Sequence, residues 1–263
     1  MGALKMNKIM KDYILGLLSK GERMDGRKLD EFRKPIKIEY GISTKSSEGS
    51  AIVHIGETMV IAGVKMAIGK PYEDTPDEGS LTVNVELSPM ASESFEPGPP
   101  NDYSIELARV TDRVVRESGM IDVNKLCIKE GEKIWMVNVD IYPMNDAGNL
   151  FDACALAALA AIKDAKMPKI ENDKVNYHEK TSKGLPLKKT PISVTVIKIG
   201  KHLLVDPLVE EFNALDARLT IGIDEANNPC AIQKGGDAPL SASDIDKMIT
   251  LAKEKVKELR KVL

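Results

Sequence analysis

The side chains best suited to chemistry in this sequence are three arginines within one predicted helix. Arg109, Arg113 and Arg116 recur at spacings of four and three, so they form one stripe along the helix surface. The apolar residues Leu107 and Val110 lie on the opposite side of the helix. Guanidinium groups bind phosphates through paired N–H donors. The stripe therefore indicates a surface that could follow an RNA backbone.

Acidic neighbours give the same stripe a second interpretation. Glu106, Asp112 and Glu117 lie three or four residues from the arginines and could neutralise them within the helix. The spacing alone favours this local pairing over a phosphate-binding surface. Both interpretations stay open at this point.

An aspartate at the end of a short apolar strand is the second candidate for chemistry. Asp206 directly follows Leu203, Leu204 and Val205 and precedes Pro207. A carboxylate at a strand end could serve in acid–base catalysis. An aspartate that caps a turn before a proline fits the sequence equally well.

Histidines and cysteines give no sign of a metal site or of a catalytic nucleophile. The histidines lack partners at metal-ligand spacing: His54, His178 and His202. The cysteines are widely and irregularly spaced: Cys127, Cys154 and Cys230. We expect free thiols in a reducing compartment. No glycine-rich phosphate-binding motif occurs, and no metal or cofactor is expected.

Composition places the chain among globular proteins and limits its partners. It has 263 residues, of which 43% are hydrophobic and 29% charged, and its formal net charge is −3. This charge balance argues against a highly basic, general nucleic-acid binder but allows a local basic path. Residues 153–162 form the longest apolar run, which is too short to span a membrane. We expect a cytoplasmic protein.

Periodicity and capping residues predict a chain of short strands and a few helices. The predicted helices cover residues 5–19, 101–118, 147–166 and 243–262, the last with Ser243 and Asp246 at capping-box spacing. The predicted strands cover residues 36–40, 50–55, 58–64, 81–87, 133–142, 192–199, 202–205, 215–223 and 230–233. Residues 167–191 form a long polar connector. The Ile-Gly pair at 55–56 and the one at 199–200 each precede an apolar strand, which indicates two similar βα halves.

Several short segments, taken in order, resemble the RNase PH superfamily, and within it the non-catalytic RNase PH-like ring subunit of the archaeal exosome. The segments are KGERMDGR at 20–27, EGSA at 48–51, GETMV at 56–60, ELAR at 106–109 with Arg113 and Arg116, DAGNLFDA at 146–153, LVDP at 204–207, LDARLT at 215–220 and IQKGG at 232–236. Their order and spacing extend from the first predicted helix to the end of the chain.

The resemblance implies an α+β, RNase PH-like fold made of two similar βα halves with mixed sheets packed on helices. The implied division is an N-terminal helix and arm at 1–33, a first half at 34–166, the connector at 167–191 and a second half at 192–263. Active members of the family cleave RNA from its 3′ end with inorganic phosphate. They bind that phosphate with an Asp-Gly-Gly-Thr-Arg-Thr-type segment at a helix N-terminus and use a second aspartate six residues after the one that resembles Asp206.

This chain departs from the active pattern at both places. Leu150 stands at the position of the arginine, and Phe151 at the position of the second hydroxyl. Phe212 stands where active members have the second aspartate, with Glu210 and Glu211 beside it in a segment that we expect to be extended. The resemblance, with these departures, implies a subunit without catalytic activity of its own, in which Asp206 is a vestigial acid.

The implied role is that of a structural and RNA-binding subunit. Such subunits pair with a catalytic RNase PH-like homologue, and three pairs close a six-membered ring that binds RNA-binding cap subunits and threads single-stranded RNA. The stripe of Arg109, Arg113 and Arg116 would then help to hold the RNA. The alternative is a self-sufficient phosphorolytic 3′-to-5′ exoribonuclease that uses Asp206 with Glu210 or Glu211.

Overall fold

The computed structural model describes residues 8–171 and 174–263. In chain order the first elements are α1 Lys8–Leu18, β1 Ile36–Tyr40, β2 Gly49–Ile55, β3 Thr58–Gly69, β4 Ser80–Val85, α2 Asp102–Glu117, β5 Cys127–Lys129, β6 Lys133–Asn145 and α3 Leu150–Asp164. The later elements are β7 Lys166–Glu171, β8 Lys174–Gly184, β9 Ile192–Ile199, β10 His202–Val205, α4 Val209–Asn213, β11 Ala217–Ile223, β12 Pro229–Gly235 and α5 Ala242–Arg260. The predicted α+β class is confirmed.

The first half is built on a mixed sheet with the strand order β1-β2-β3-β6-β4, with β5 paired to β6. Neighbouring strands are antiparallel except β4, which runs parallel to β6. Alternate residues of β3 are buried, from Val60 through Ala62 and Val64 to Met66, because successive side chains of a strand point to opposite faces. One face of this sheet therefore carries the core.

The second half is a four-stranded antiparallel sheet with the order β10-β9-β11-β12. Helix α5 covers β9 and β11 on one face. The turns that precede β3 and β10 both contain a glycine with positive φ, at Gly56 and Gly200, each at +59°. A side chain on Gly56 would also meet Arg33, since its Cβ would lie 2.7 Å from the Cβ of Arg33. The shared Ile-Gly pattern thus marks equivalent turns in the two halves.

Helix α3 lies between the two sheets. It packs against β2 and β3 of the first sheet and against β9 of the second. Every residue from Leu150 to Ile162 is buried, as the all-round apolar pattern predicts. Its alanines permit a close approach to β2, where a Cβ on Gly49 would lie 2.4 Å from the carbonyl oxygen of Ala161. The position of this helix fixes the N-terminal turn that precedes it, residues 146–149.

Helix α1 packs on the second half although it begins the described chain. Ile14 and Leu18 are buried against Ile197, Ile199 and Leu204. The helix ends before Gly21, which has a φ of +78°. Residues 5–7 of the predicted helix lie outside the described residues. The chain then crosses residues 19–35, called the arm below, before it enters β1.

The expected polar connector at 167–191 contains a two-stranded sheet formed by β7 and β8. Met167 and Val175 pack against the main core, while Lys169 and Lys180 are exposed. The ammonium group of Lys180 donates to the carbonyl oxygen of Thr44, 2.7 Å away. A ribbon solvated over much of its surface shows little apolar alternation, so the lysine-rich sequence concealed its strands.

Two further local predictions were wrong. The capping box of α5 is formed by Ser241 and Asp244, not by Ser243 and Asp246: the Ser241 hydroxyl accepts from the Asp244 amide, and the Asp244 carboxylate accepts from the Ser241 amide. Helix α3 was predicted to begin at residue 147 but begins at Leu150, because Asn149 adopts the left-handed conformation, with a φ of 56°. Within the described residues, no helix has both the length and the apolar character needed to cross a membrane.

Candidate functional site

Helix α2 presents the predicted arginine stripe on its exposed side. The side chain of Asn101 caps the helix by accepting from the amide of Ser104 at 2.9 Å, and Gly119 follows its end with a φ of +66°. Its buried side is formed by Ser104, Leu107, Val110, Thr111, Val114 and Val115. Arg109, Arg113 and Arg116 all point away from that side and are exposed.

Local pairing is present for two of the three arginines. Arg116 forms a double hydrogen bond with Asp112, from Nε to Oδ2 at 3.0 Å and from Nη2 to Oδ1 at 2.7 Å. These bonds raise the pKa of Arg116 above its ordinary value. Arg113 pairs with Glu117 one turn further along. Among the described residues, Arg109 takes part in no ion pair and no hydrogen bond through its guanidinium, so it is the freest cation of the stripe.

The other acidic candidate turns away from the stripe. Glu106 pairs with Arg218 of β11, whose side chain is only 2% exposed. Burial lowers the pKa of Arg218, and the neighbouring Glu106 carboxylate opposes that shift. The sequence marker LDARLT contains Arg218, but spacing along the chain gives no hint that it reaches α2.

A groove runs between α2 and the edge strand β4, with a volume of about 730 Å³. The three arginines line one wall, together with Asp112. The other walls come from β4 and β6 and include Asp140, Ile141 and Tyr142. Arg116 also reaches the start of β4, where its Nη2 donates to the carbonyl oxygen of Leu81 at 2.9 Å. Arg116 thus combines an exposed charge with a structural tie between α2 and the sheet.

Asp206 lies fully buried at the end of β10, with a φ of +48°. Its Oδ1 accepts from Arg33 Nη2 at 2.7 Å and from Asn149 Nδ2 at 3.0 Å. Its Oδ2 accepts from the Arg33 amide at 2.7 Å, from Arg33 Nε at 2.9 Å and from Arg27 Nη1 at 2.9 Å. The two interpretations from the sequence, an acid–base catalyst and a turn cap, both placed Asp206 at a strand end. Neither predicted its contacts with Arg27 and Arg33 of the arm.

Arg33 links this carboxylate to the turn before α3. It donates to the carbonyl oxygens of Ala147 and Gly148 as well as to Asp206. Gly148 has a φ of +106°, and a Cβ there would lie 2.3 Å from the carbonyl oxygen of Pro207. The turn is therefore packed directly against the segment that follows Asp206.

The two positions that the resemblance assigns to the phosphate-binding segment hold buried apolar side chains. Leu150 and Phe151 are each 1% exposed. The Phe151 ring contacts those of Tyr103 and Phe212, with centroid separations of 6.0 and 5.8 Å. The guanidinium carbon of Arg218 lies 3.6 Å from the centroid of the Phe151 ring. An aromatic cluster thus occupies the space beside the N-terminus of α3.

The two glutamates that could replace the missing aspartate do not approach Asp206 as a pair. Their segment forms the short helix α4, so the expectation of an extended segment was wrong. Glu211 is buried and accepts two hydrogen bonds from Arg23 of the arm, one from Nε to Oε1 at 2.9 Å. Glu210 is exposed. The carboxylates of Asp206 and Glu211 are therefore each bound by arginines, and Glu210 is exposed while Asp206 is buried.

Asp152 is a buried carboxyl that the sequence reasoning did not single out. Its Oδ2 accepts from Asn149 Nδ2 at 3.0 Å, and the same amide group also donates to Asp206. Burial raises the pKa of Asp152 to about 7; hydrogen bonds from Thr195 and Asn149 oppose the rise, and the nearby Asp206 adds to it. The only feature of the sequence that could have pointed to Asp152 was its place in the DAGNLFDA segment.

Metal-ligating and thiol groups add nothing to the site. In residues 8–171 and 174–263, no three His, Cys, Asp or Glu side chains are grouped to hold a metal ion. The cysteines are free thiols, as expected, and burial raises the pKa of Cys154. His54 and His202 are partly exposed strand residues, and the side chain of His178 lies outside what the structure describes.

The chain combines two αβ halves with an arm whose arginines form ion pairs and with an aspartate at the end of a strand. This combination defines the RNase PH class of fold. The model of domain 1 of the 3′ exoribonuclease family matches residues 31–168, and the model of domain 2 matches residues 189–255. The chain belongs to this RNase PH family of 3′ exoribonucleases.

Several similar relatives come from archaea. The exosome complex component Rrp42 of Methanopyrus kandleri is 44% identical, with 97% of this chain and 96% of that protein covered. The component of the same name from Archaeoglobus fulgidus is 46% identical, with 96% and 95% covered. A solved chain of the Archaeoglobus fulgidus exosome, with RNA bound to the active site of that complex, superposes with a TM-score of 0.88 at 45% identity, and 97% of each chain is covered.

Proposed function

We propose that this chain is a non-catalytic, RNA-binding ring subunit of an archaeal exosome, a phosphate-dependent 3′-to-5′ exoribonuclease complex. The observation that carries the proposal is the state of Asp206. This carboxylate is buried and bound by two arginines, beside a helix N-terminus filled by Leu150 and Phe151. The relatives named exosome complex component Rrp42 support the same assignment.

Phosphorolysis makes demands that this chain does not meet. An oxygen of inorganic phosphate attacks the phosphorus of the last phosphodiester bond, and the bond to the 3′ oxygen breaks. A nucleoside diphosphate leaves, and the shortened RNA keeps the 3′ oxygen as a hydroxyl. The incoming dianion needs clustered N–H donors, and the leaving oxygen needs a proton. Leu150 and Phe151 offer no side-chain donor, and Phe212 offers no acid.

The contribution of the chain is instead to assemble the complex and to hold RNA. A catalytic RNase PH-like homologue supplies the phosphate site and the acid, and three pairs of the two subunits close a six-membered ring. Cap subunits with RNA-binding domains sit on this ring, and single-stranded RNA enters it. Arg109, Arg113 and Arg116 bind the RNA backbone near the entrance to the partner's pocket.

The proposal extends to organisation and location. Residues 1–33 form the N-terminal helix and arm, 34–166 and 192–263 are the two RNase PH-like halves, and 167–191 connect them. The complex works in the cytoplasm. The separate family models for domains 1 and 2 support a division of the chain into two halves.

The test is a phosphate-dependent degradation assay on the purified chain, alone and assembled with the RNase PH-like homologue encoded in the same genome. The substrate is single-stranded oligoadenylate, and the readout is release of adenosine diphosphate. We expect no release from the chain alone and rapid release from the complex, with none when phosphate is omitted. Changing the acid of the homologue's active site to its amide should abolish release by the complex.

The outcome that contradicts the proposal is phosphate-dependent release by the isolated chain that disappears in Asp206→Asn. It would favour the self-sufficient exoribonuclease that uses Asp206 with Glu210 or Glu211. The structure gives that alternative little support, since the carboxylate of Glu211 is bound by Arg23 and that of Asp206 by Arg27 and Arg33.

A further inference from the structure

We infer that Asp112 and Glu117 are competing anions that RNA phosphates must displace, so that these two carboxylates set the RNA affinity of the stripe. The inference rests on the proposed function, because it concerns the same arginines. It goes beyond that function in assigning a role to the acidic members of the helix, and it predicts that their removal strengthens binding.

The hydrogen bonds between Arg116 and Asp112 are the first observation behind this inference. Asp112 accepts from Nε and from Nη2 of Arg116, which is the double hydrogen bond that a phosphate would also form with a guanidinium. A third bond joins Nη2 to the carbonyl oxygen of Leu81. The N–H groups of Nε and Nη2 of Arg116 are therefore occupied before RNA binds. A phosphate oxygen can accept from this edge of the guanidinium only if the hydrogen bonds to Asp112 break.

The exposure of the two ion pairs, Arg116–Asp112 and Arg113–Glu117, is the second observation. The side chain of Asp112 is 23% exposed and that of Arg116 is 49% exposed, and both line the groove beside β4. Glu117 and Arg113 are 44% and 46% exposed. Ion pairs in such positions contribute little to folding, because water screens them and the side chains lose rotamer freedom. Each pair can therefore exchange one partner for another at little cost to the fold.

The three arginines differ in how many carboxylate contacts compete with a phosphate. Arg109 has no carboxylate partner among the described residues, so it meets the first phosphate without a competitor. To offer all of its N–H groups to phosphate, Arg113 has one carboxylate contact to release, and Arg116 has a double hydrogen bond to release. The two remaining acids of the groove, Glu86 and Asp140, belong to the wall opposite α2 and hold none of these guanidiniums.

The experiment measures the affinity of the assembled complex for fluorescein-labelled single-stranded oligoadenylate without phosphate, so that no degradation occurs. We expect Asp112→Asn to tighten binding by about two- to fivefold, and Glu117→Gln by a smaller factor, since an exposed ion pair is weak. The plot of log affinity against log salt should steepen in Asp112→Asn by at most about 0.7, the value for one phosphate, because Arg116 then contacts a phosphate in a larger fraction of the complexes. A purely structural role for Asp112 predicts weaker binding or none of these shifts.

Matched controls separate a local competitor from a general charge effect. Asp246→Asn and Glu254→Gln remove the same charges from exposed positions of α5 and should leave affinity unchanged. The gain from Asp112→Asn should disappear in Arg116→Gln, whose assembly is checked by its sedimentation and melting temperature. A gain that persists in Arg116→Gln would overturn the inference, as would an unchanged affinity in Asp112→Asn. If Arg109→Ala also leaves RNA affinity unchanged, the proposed RNA-binding role itself fails.

Discussion

Asp206 is a buried acid at the end of a strand, and its contacts in this chain are structural. In this chain its carboxylate joins the arm, the turn before α3 and the end of β10 through Arg27, Arg33 and Asn149. Both oxygens of this carboxylate are occupied by donors from these residues, so Asp206 serves as a tie between three segments of the chain. That arrangement fits the proposed function, in which this subunit has no catalytic activity of its own.

The amide variant Asp206→Asn tests this structural role. We expect the assembled complex to keep its single-turnover rate of RNA cleavage, because the proposed function gives this carboxylate no part in proton transfer. We expect the variant to lose about 3 kcal/mol of stability, because two nearly buried guanidiniums lose their counter-charge. The melting temperature should fall by several degrees, whereas Asp237→Asn at an exposed position should leave it unchanged. A large loss of rate in an intact complex would contradict the non-catalytic assignment.

Asp152 gives stability a dependence on pH. Its pKa is about 7 in the folded chain, against an ordinary value of 3.8 that applies when the chain unfolds. Between these two pH values the folded state holds a proton that the unfolded state has released. The contribution of Asp152 to stability is therefore largest below pH 4 and declines as the pH rises to 7. Thermal unfolding of Asp152→Asn should show a smaller decline over this range than the unaltered chain, with Asp12→Asn on α1 as a control. Equal pH dependence in all three proteins would contradict the assignment.

At the scale of elements, the arginines of α2 allow the proposed RNA binding to be tested separately from stability. Arg109 is exposed and unpaired among the described residues, while Arg116 ties α2 to Leu81 of β4. Arg109→Ala should weaken RNA binding and flatten the salt dependence by about 0.7, with no change in melting temperature. Arg116→Ala should weaken binding less and also lower the melting temperature. Lys257→Ala on the exposed face of α5 serves as the control for loss of one positive charge. Unchanged affinity in Arg109→Ala would leave the stripe with local pairing alone.

The sequence predicted the elements best where local chemistry decides them. β9 and β10 have the predicted bounds, because a glycine turn separates two apolar strands. Helix α2 begins and ends where Asn101 and Gly119 indicate. The strands β7 and β8 were not predicted because Lys169 and Lys180 are exposed and the two strands pair without a strong apolar alternation.

At the scale of the whole molecule, the candidate site was only partly predictable. The stripe on α2 follows from spacing within one helix, and so does the local pairing that opposes it. The bonds around Asp206 join residues 57 to 179 positions apart, which no periodicity reports. Asn149 and Asp206 also adopt the left-handed backbone conformation, which the sequence did not predict. The sequence could locate Asp206 at a strand end, whereas only the folded chain shows which residues hold its carboxylate.

The position of α3 between the two sheets has a consequence for folding. The helix supplies core to both halves, so neither half can bury its apolar face once the other has melted. We expect the purified chain to unfold in one calorimetric transition, with equal calorimetric and van 't Hoff enthalpies. Two separate transitions would show that the halves are independent. The twofold plan of the chain thus describes its architecture, whereas its thermodynamic unit is the entire molecule, joined through one shared helix.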